Sequence, residues 1–212
     1  RAAEASAALT GPARVVHVSP EGSGVTDAAI TVVFDRPVRA LGPSEPPVGA
    51  TVEPAVAGTW GWVGTDSIQF HPDAPLPGST AFTVTVAPEL PSLPGRQLEA
   101  PFSFGFETPR LKLYEHRPYA DERAVERDAN IRLVLSEPIE ADVVASFVTL
   151  RHGDENVLFD VVPSVESHVL TLAPRDSWPA GAEMEVALAA ETTPRASALP
   201  MGERQAFSFR TL

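Results

Sequence analysis

The chain has 212 residues, enough for one large domain or two of about 100 residues each. Its 28 acidic against 16 basic residues leave a net charge of −12. That balance argues against nucleic acid and against an anionic membrane surface, both of which are bound through Lys and Arg. Cysteine is absent, which excludes thiol catalysis, Cys zinc sites and disulfides, and no run reaches the roughly 18 apolar residues that span a bilayer.

Residues 1–12 are Ala-rich, contain Gly11-Pro12 and show no apolar period. They read as a leader or arm, with a short helix as one form it takes. Arg1 is not an initiator methionine, so the sequence reads as a segment of something longer, with any signal or lipid anchor upstream. From residue 13 the chain turns to short runs of period 2, the pattern of a strand that buries one face and wets the other. Phe82-Thr83-Val84-Thr85-Val86 and Phe102-Ser103-Phe104-Gly105-Phe106 are the clearest. Strands are predicted over 13–19, 28–35, 50–56, 58–63, 66–71, 80–87 and 101–108. The join Glu107-Thr108-Pro109-Arg110-Leu111 has no Gly/Ser tract, and so short a connection predicts a stiff linker. Beyond it, strands are predicted over 111–116, 129–136, 145–151, 156–163, 168–173, 182–189 and 205–211. The one helical candidate is Ala141 to Ala145 after Pro138, a short helix or no more than a turn.

The second half repeats the first. Ile30-Thr-Val-Val-Phe34-Asp-Arg-Pro37-Val38 returns as Ile131-Arg-Leu-Val-Leu135-Ser-Glu-Pro138-Ile139, an offset of 101. Ser67-Ile68-Gln69-Phe70-His71-Pro72 returns as Val169-Leu170-Thr171-Leu172-Ala173-Pro174, offset 102, with Pro77 matching Pro179. Phe104-Gly-Phe106-Glu-Thr108 returns as Phe207-Ser-Phe209-Arg-Thr211, offset 103. Three blocks in one order, with offsets that drift by single residues, describe homologous domains over 13–109 and 110–212. Short alternating strands bounded by Pro and Gly turns make each an antiparallel sandwich, and the fold class all-β. The 22 prolines suit strand ends and edges, where no ladder donor is needed.

The Phe-Asp-Arg-Pro-Val, Ile-Gln-Phe-His-Pro and Phe-Ser-Phe-x-Phe-x-Thr elements resemble a bacterial Ig-like domain of the kind found in S-layer and other surface proteins, and the resemblance covers both repeats. A narrower resemblance lies at Gly58-Thr59-Trp60-Gly61-Trp62-Val63-Gly64-Thr65-Asp66-Ser67-Ile68-Gln69-Phe70 with Leu76-Pro77. This Trp-x-Trp-x-Gly-Thr element is similar to the amino-terminal region of bacterial alpha-2-macroglobulins. There, tandem Ig-like or macroglobulin domains precede a bait region and a thioester domain, and the whole protein traps proteases in the periplasm or at the cell surface. The resemblance implies a non-catalytic segment, because the thioester run Cys-x-Glu-Gln needs a cysteine that this chain lacks. Its implied partners are other domains of the same longer chain and, through the full-length protein, target proteases. The alternative is a tandem Ig-like adhesion or spacer module of another bacterial surface protein.

No catalytic constellation is expected. His17, His71, His116, His152 and His168 are dispersed and without metal-ligand spacing, Gly22-Ser23-Gly24 is a turn, and no Gly-x-Ser-x-Gly elbow exists. Neither metal nor cofactor is expected. Acidic turns such as Asp154-Glu155-Asn156 lack the regular spacing of a calcium loop. The residues singled out are three tryptophans. Trp60 and Trp62 lie two apart, so a strand places them on one face, where they either pack on a core or form a platform for a glycan or a protein. Trp178, before Pro179 in the equivalent loop of the second domain, is expected to cover the end of the core.

Overall fold

The computed structural model describes residues 11–26 and 29–212. Apart from Gly11 and Pro12, the leader expected over 1–12 lies outside the described residues, as does the start of the strand expected at 28. The chain divides between Pro109 and Arg110 into two compact units. Both are built from antiparallel strands, and each is a two-sheet sandwich.

In the first unit the strands are β1 (Val15–Ser19), β2 (Ile30–Phe34), β3 (Ala50–Glu53), β4 (Gly58–Val63), β5 (Ser67–Pro72), β6 (Ala81–Val86) and β7 (Phe102–Glu107). They form one sheet in the order β1-β2-β5-β4 and a second in the order β3-β6-β7. In the second unit they are β8 (Leu113–Arg117), β9 (Ile131–Leu135), β10 (Val148–His152), β11 (Glu155–Asn156), β12 (Phe159–Val162), β13 (Val169–Pro174), β14 (Glu183–Leu188) and β15 (Gln205–Arg210). The helix α1 (Ala141–Ala145) stands between β9 and β10. The sheet orders are β12-β13-β9-β8 and β11-β10-β14-β15. With β11 set aside as an added edge strand, both units follow the strand order of the immunoglobulin sandwich. Past β1 and past β8 the chain crosses to the other sheet, touching the last strand in parallel at Gly22–Phe106 and Val125–Thr211.

Strand ends depart from the sequence-based bounds for physical reasons. The strand expected over 13–19 begins at Val15, because the Ala13 amide bonds to the Arg96 carbonyl and the Arg14 amide to Asp35 Oδ1. The strand expected over 50–56 stops at Glu53, since Pro54 offers no donor. The strand expected over 145–151 begins at Val148, after the last turn of α1. The strand expected over 156–163 is two: Gly153-Asp154 forms a two-residue hairpin loop that pairs β11 with β10, and β12 follows separately.

The repeat extends to backbone hydrogen bonds. The Phe34 amide donates to the Asp66 carbonyl and the Leu135 amide to the His168 carbonyl. The amides of Val38 and Ile139 donate to Thr65 and Ser167, and those of Ala87 and Ala189 to Gly49 and Phe147. The cores alternate as the period-2 pattern requires: Ile30, Val32 and Phe34 are buried on β2, as are Ile131, Leu133 and Leu135 on β9. Phe82 and Phe106 stack at 5.2 Å between ring centres inside the first unit.

Candidate functional site

The tryptophans singled out by the sequence fall in two places. Trp60 and Trp62 sit on β4, an edge strand whose other side pairs with no strand among the described residues. Both point toward the core and are half-buried, while Thr59 and Val63, on the opposite face, are exposed. Trp60 packs on Phe70 of β5 at 5.3 Å between ring centres. Trp62 lies nearer the surface: its indole N–H donates to the Glu45 carbonyl at 3.1 Å, and the Arg39 guanidinium stands 5.7 Å from its ring centre. Arg39 is itself held, with Nε donating to the Gly64 carbonyl at 2.8 Å and Nη1 to Gly42 and Ser44. The proline-rich segment 43–47 is thereby tied to the end of β4.

Trp178 is elsewhere and wholly inside. It is 0% exposed, at the end of the second core. Its indole N–H donates to the Ala129 carbonyl at 2.7 Å, its amide to the Arg127 carbonyl at 2.8 Å, and Arg127 Nε donates back to the Trp178 carbonyl. A buried indole needs such a partner for its one donor. The equivalent place in the first unit holds Leu76, packed against Val52, Phe70, Phe82 and their neighbours.

The histidines stay apart. His116 stacks on Phe207, ring centres 3.6 Å apart, with Nδ1 2.7 Å from the Pro118 carbonyl, and His152 Nδ1 lies 3.1 Å from the Glu183 carbonyl. Among the described residues no three His, Asp or Glu side chains converge as metal ligands, and no buried side-chain N or O lacks a partner. Two of the surface depressions among the described residues lie within single units. One, of about 410 Å³, is lined by Arg151, His152, Glu183, Glu185 and Ser208, where Glu185 pairs with Arg204 and Arg151 with Asp154. The other, of about 280 Å³, lies between Ala13–Val15 and Leu98–Phe102.

Sequence reasoning passed over a device present in both units. Thr108 Oγ1 donates to the Pro77 carbonyl at 2.8 Å and accepts the Thr80 amide at 3.0 Å. Thr211 Oγ1 repeats this on Pro179 at 2.6 Å and on the Ala182 amide at 2.9 Å. Both threonines are buried and clasp the last strand to the loop before β6 or β14. The signal was in the sequence, since Pro77, Pro179, Thr108 and Thr211 all belong to the repeat blocks.

Comparison with known families decides what this repeated architecture is. The family model described as bacterial Ig-like domain matches residues 10–108 and again 109–211. The chain belongs to the bacterial Ig-like domain family. It carries two such domains in tandem, and the repeated hydrogen bonds and the threonine clasp are features of both copies. A comparison with curated proteins finds no match. Among solved structures, the chain is similar to the methionine-rich copper resistance protein PcoC from Escherichia coli, at 20% identity and a TM-score of 0.38, over 49% of this chain and 99% of that one. It is also similar to the N-terminal part of the bacterial S-layer protein SbsC, at 13% identity and a TM-score of 0.36, over 98% of this chain and 46% of that one. A third is the L,D-transpeptidase LdtMt1 in complex with imipenem, at 14% identity and a TM-score of 0.34, over 49% of this chain. This chain spans only 40% of that transpeptidase's length. No helix among the described residues is long and apolar enough to cross a membrane.

Proposed function

We propose that this tandem pair of bacterial Ig-like domains is a non-catalytic structural and interaction segment of a bacterial alpha-2-macroglobulin-like protease inhibitor, working in the periplasm or at the cell surface. The family match over both halves carries the first part of the reading: a fold that hosts many functions is assigned one by its site, and here the prominent side chains are committed to packing. The second part is carried by Trp60-Gly61-Trp62-Val63-Gly64-Thr65 with Leu76-Pro77, the element that resembles the amino-terminal macroglobulin region. Its partners are then further domains of the same chain and, through them, the captured protease. Nucleic acid, membrane, metal and cofactor have no part in it.

Two experiments test the reading. Sequencing the reading frame downstream should reveal a Cys-x-Glu-Gln run; further Ig repeats or an anchoring domain in its place would favour an adhesion or spacer module. The full-length protein, mixed with a broad-specificity protease, should suppress cleavage of a large protein substrate while sparing a short peptide substrate, because a trap excludes by size. Equal action on both substrates, or on neither, would refute the inhibitor.

A further inference from the structure

Unpaired sheet edges invite pairing with another chain, and natural proteins blunt them with bulges, charges, prolines, shortness or cover. Among the described residues eight strands lie at sheet edges, and seven are blunted. β1 and β8 carry register-shifting bulges. β3 ends in Glu53 before Pro54. β7 and β15 are touched by the crossing segments at Gly22 and Val125. β11 has two residues. β12, the counterpart of β4 in the second unit, is short and carries an exposed Asp160–Arg175 ion pair. β4 carries none of these devices within the strand, and the segment 43–47 with Arg39 is tied at its Trp62 end. The strand is six residues long, Gly58-Thr59-Trp60-Gly61-Trp62-Val63, without charge, proline or bulge.

We propose that β4 is a self-association edge, at which a second copy of this chain adds its own β4 in antiparallel register about a two-fold axis through Gly61. The strand reads nearly the same in both directions about that residue. Centred there, Trp60 stands opposite Trp62 of the second copy, and Thr59 opposite its Val63. Both rows keep their faces, so the tryptophans continue the buried side of each sheet and Thr59 and Val63 the outer side. Gly61 meets Gly61 at the axis, and an added methyl there would find nothing within 4 Å, so no side chain crowds that face of the sheet at the dyad. Such an interface is isologous and closes at two copies, with main-chain bonds supplying affinity and facing side chains supplying register. Charge permits the same occupant. On a chain of net charge −12, an uncharged strip is where a second copy approaches with least repulsion, and β4 supplies an equally uncharged strip in return.

Sedimentation of the 212-residue chain across concentration and salt tests this. A monomer–dimer equilibrium that tightens as salt screens the net charge is expected. The double variant Thr59→Lys with Val63→Lys sets like charges opposite one another twice and should weaken the dimer about tenfold or more. Thr59→Lys with Val63→Glu sets opposite charges together at the same exposed positions and should restore it. Thermal melts of both variants confirm that each is folded. A chain monomeric at all concentrations, or a dimer equally strong in both variants, would overturn the proposal.

Discussion

Gly58 stands opposite Pro72 of β5, with no room for a side chain. A Cβ there would lie 2.4 Å from Phe70 Cζ, 2.6 Å from the His71 carbonyl oxygen and 2.8 Å from Pro72 Cα. Two of those three neighbours are backbone and cannot turn aside, and the third is a buried ring. Gly58→Ala should therefore cost about 1–3 kcal/mol through overpacking, lowering the melting temperature of the first domain by several degrees. Gly61→Ala, on the open side of the same strand, should leave that temperature unchanged or raise it. Asp35 offers a second test at this scale. Arg36 grips its carboxylate from both sides, at 2.9 and 2.7 Å, and the Arg14 amide donates to it at 3.0 Å. The hydrogen bond from Arg36 leads in holding its pKa below the ordinary Asp value, against the opposing effect of partial burial. A carboxyl lowered on folding stabilises the protein above its unfolded pKa, and that contribution fades as pH falls through the lowered value. The second repeat has Ser136 here, whose Oγ accepts the Lys112 amide at 2.9 Å. Asp35→Ser should thus fold and keep the strand junction, melt below the parent near neutral pH, and close that gap as the pH falls towards 2. A melting temperature measured from pH 7 to pH 2 in both forms gives the comparison.

At the scale of the element, the last strand of each domain is held in two ways, by its aromatic row and by its terminal threonine. The repeat equates Phe104 with Phe207 and Phe106 with Phe209, and from the pattern alone both members of a pair sit alike. The structure separates them. Phe207, Phe106 and Phe209 are buried, but Phe104 is only half-buried. Phe106→Ala and Phe209→Ala should cost about 3–5 kcal/mol as large-to-small core changes, and Phe104→Ala distinctly less. Denaturant titrations of the three variants would show this ranking or fail to. Thr211→Val keeps the shape but strands the Ala182 amide and the Pro179 carbonyl in a buried place. An unmet buried group costs about 1–3 kcal/mol, so this near-isosteric change should destabilise measurably, and faster amide exchange should appear first in β15.

On the scale of the whole molecule, each unit closes a core on its own residues, with Leu111, Ile131, Trp178, Met184 and Phe209 among those in the second. Residues 110–212 expressed alone should therefore melt in one cooperative transition, with Trp178 fluorescence and far-UV circular dichroism reporting the same midpoint. Non-coincident transitions would show that the second domain depends on the first. The sequence by itself determined the all-β class, the duplication and most strands, because period 2 and repeated Pro–Gly punctuation are local signals that survive without tertiary context. It also placed α1 and put Trp60 and Trp62 on one face. Strand ends were decided by the tertiary structure, since they depend on where amides such as those of Ala13 and Arg14 find partners far along the chain. So was the fate of each tryptophan: the residue type is the same, but Trp178 fills a closed core while Trp62 meets Arg39 and Glu45 near the surface. The distinction between the guarded edge β12 and the bare edge β4 belongs there too. Which strand stands at an edge follows from sheet order, and sheet order is a property of contacts distant in sequence.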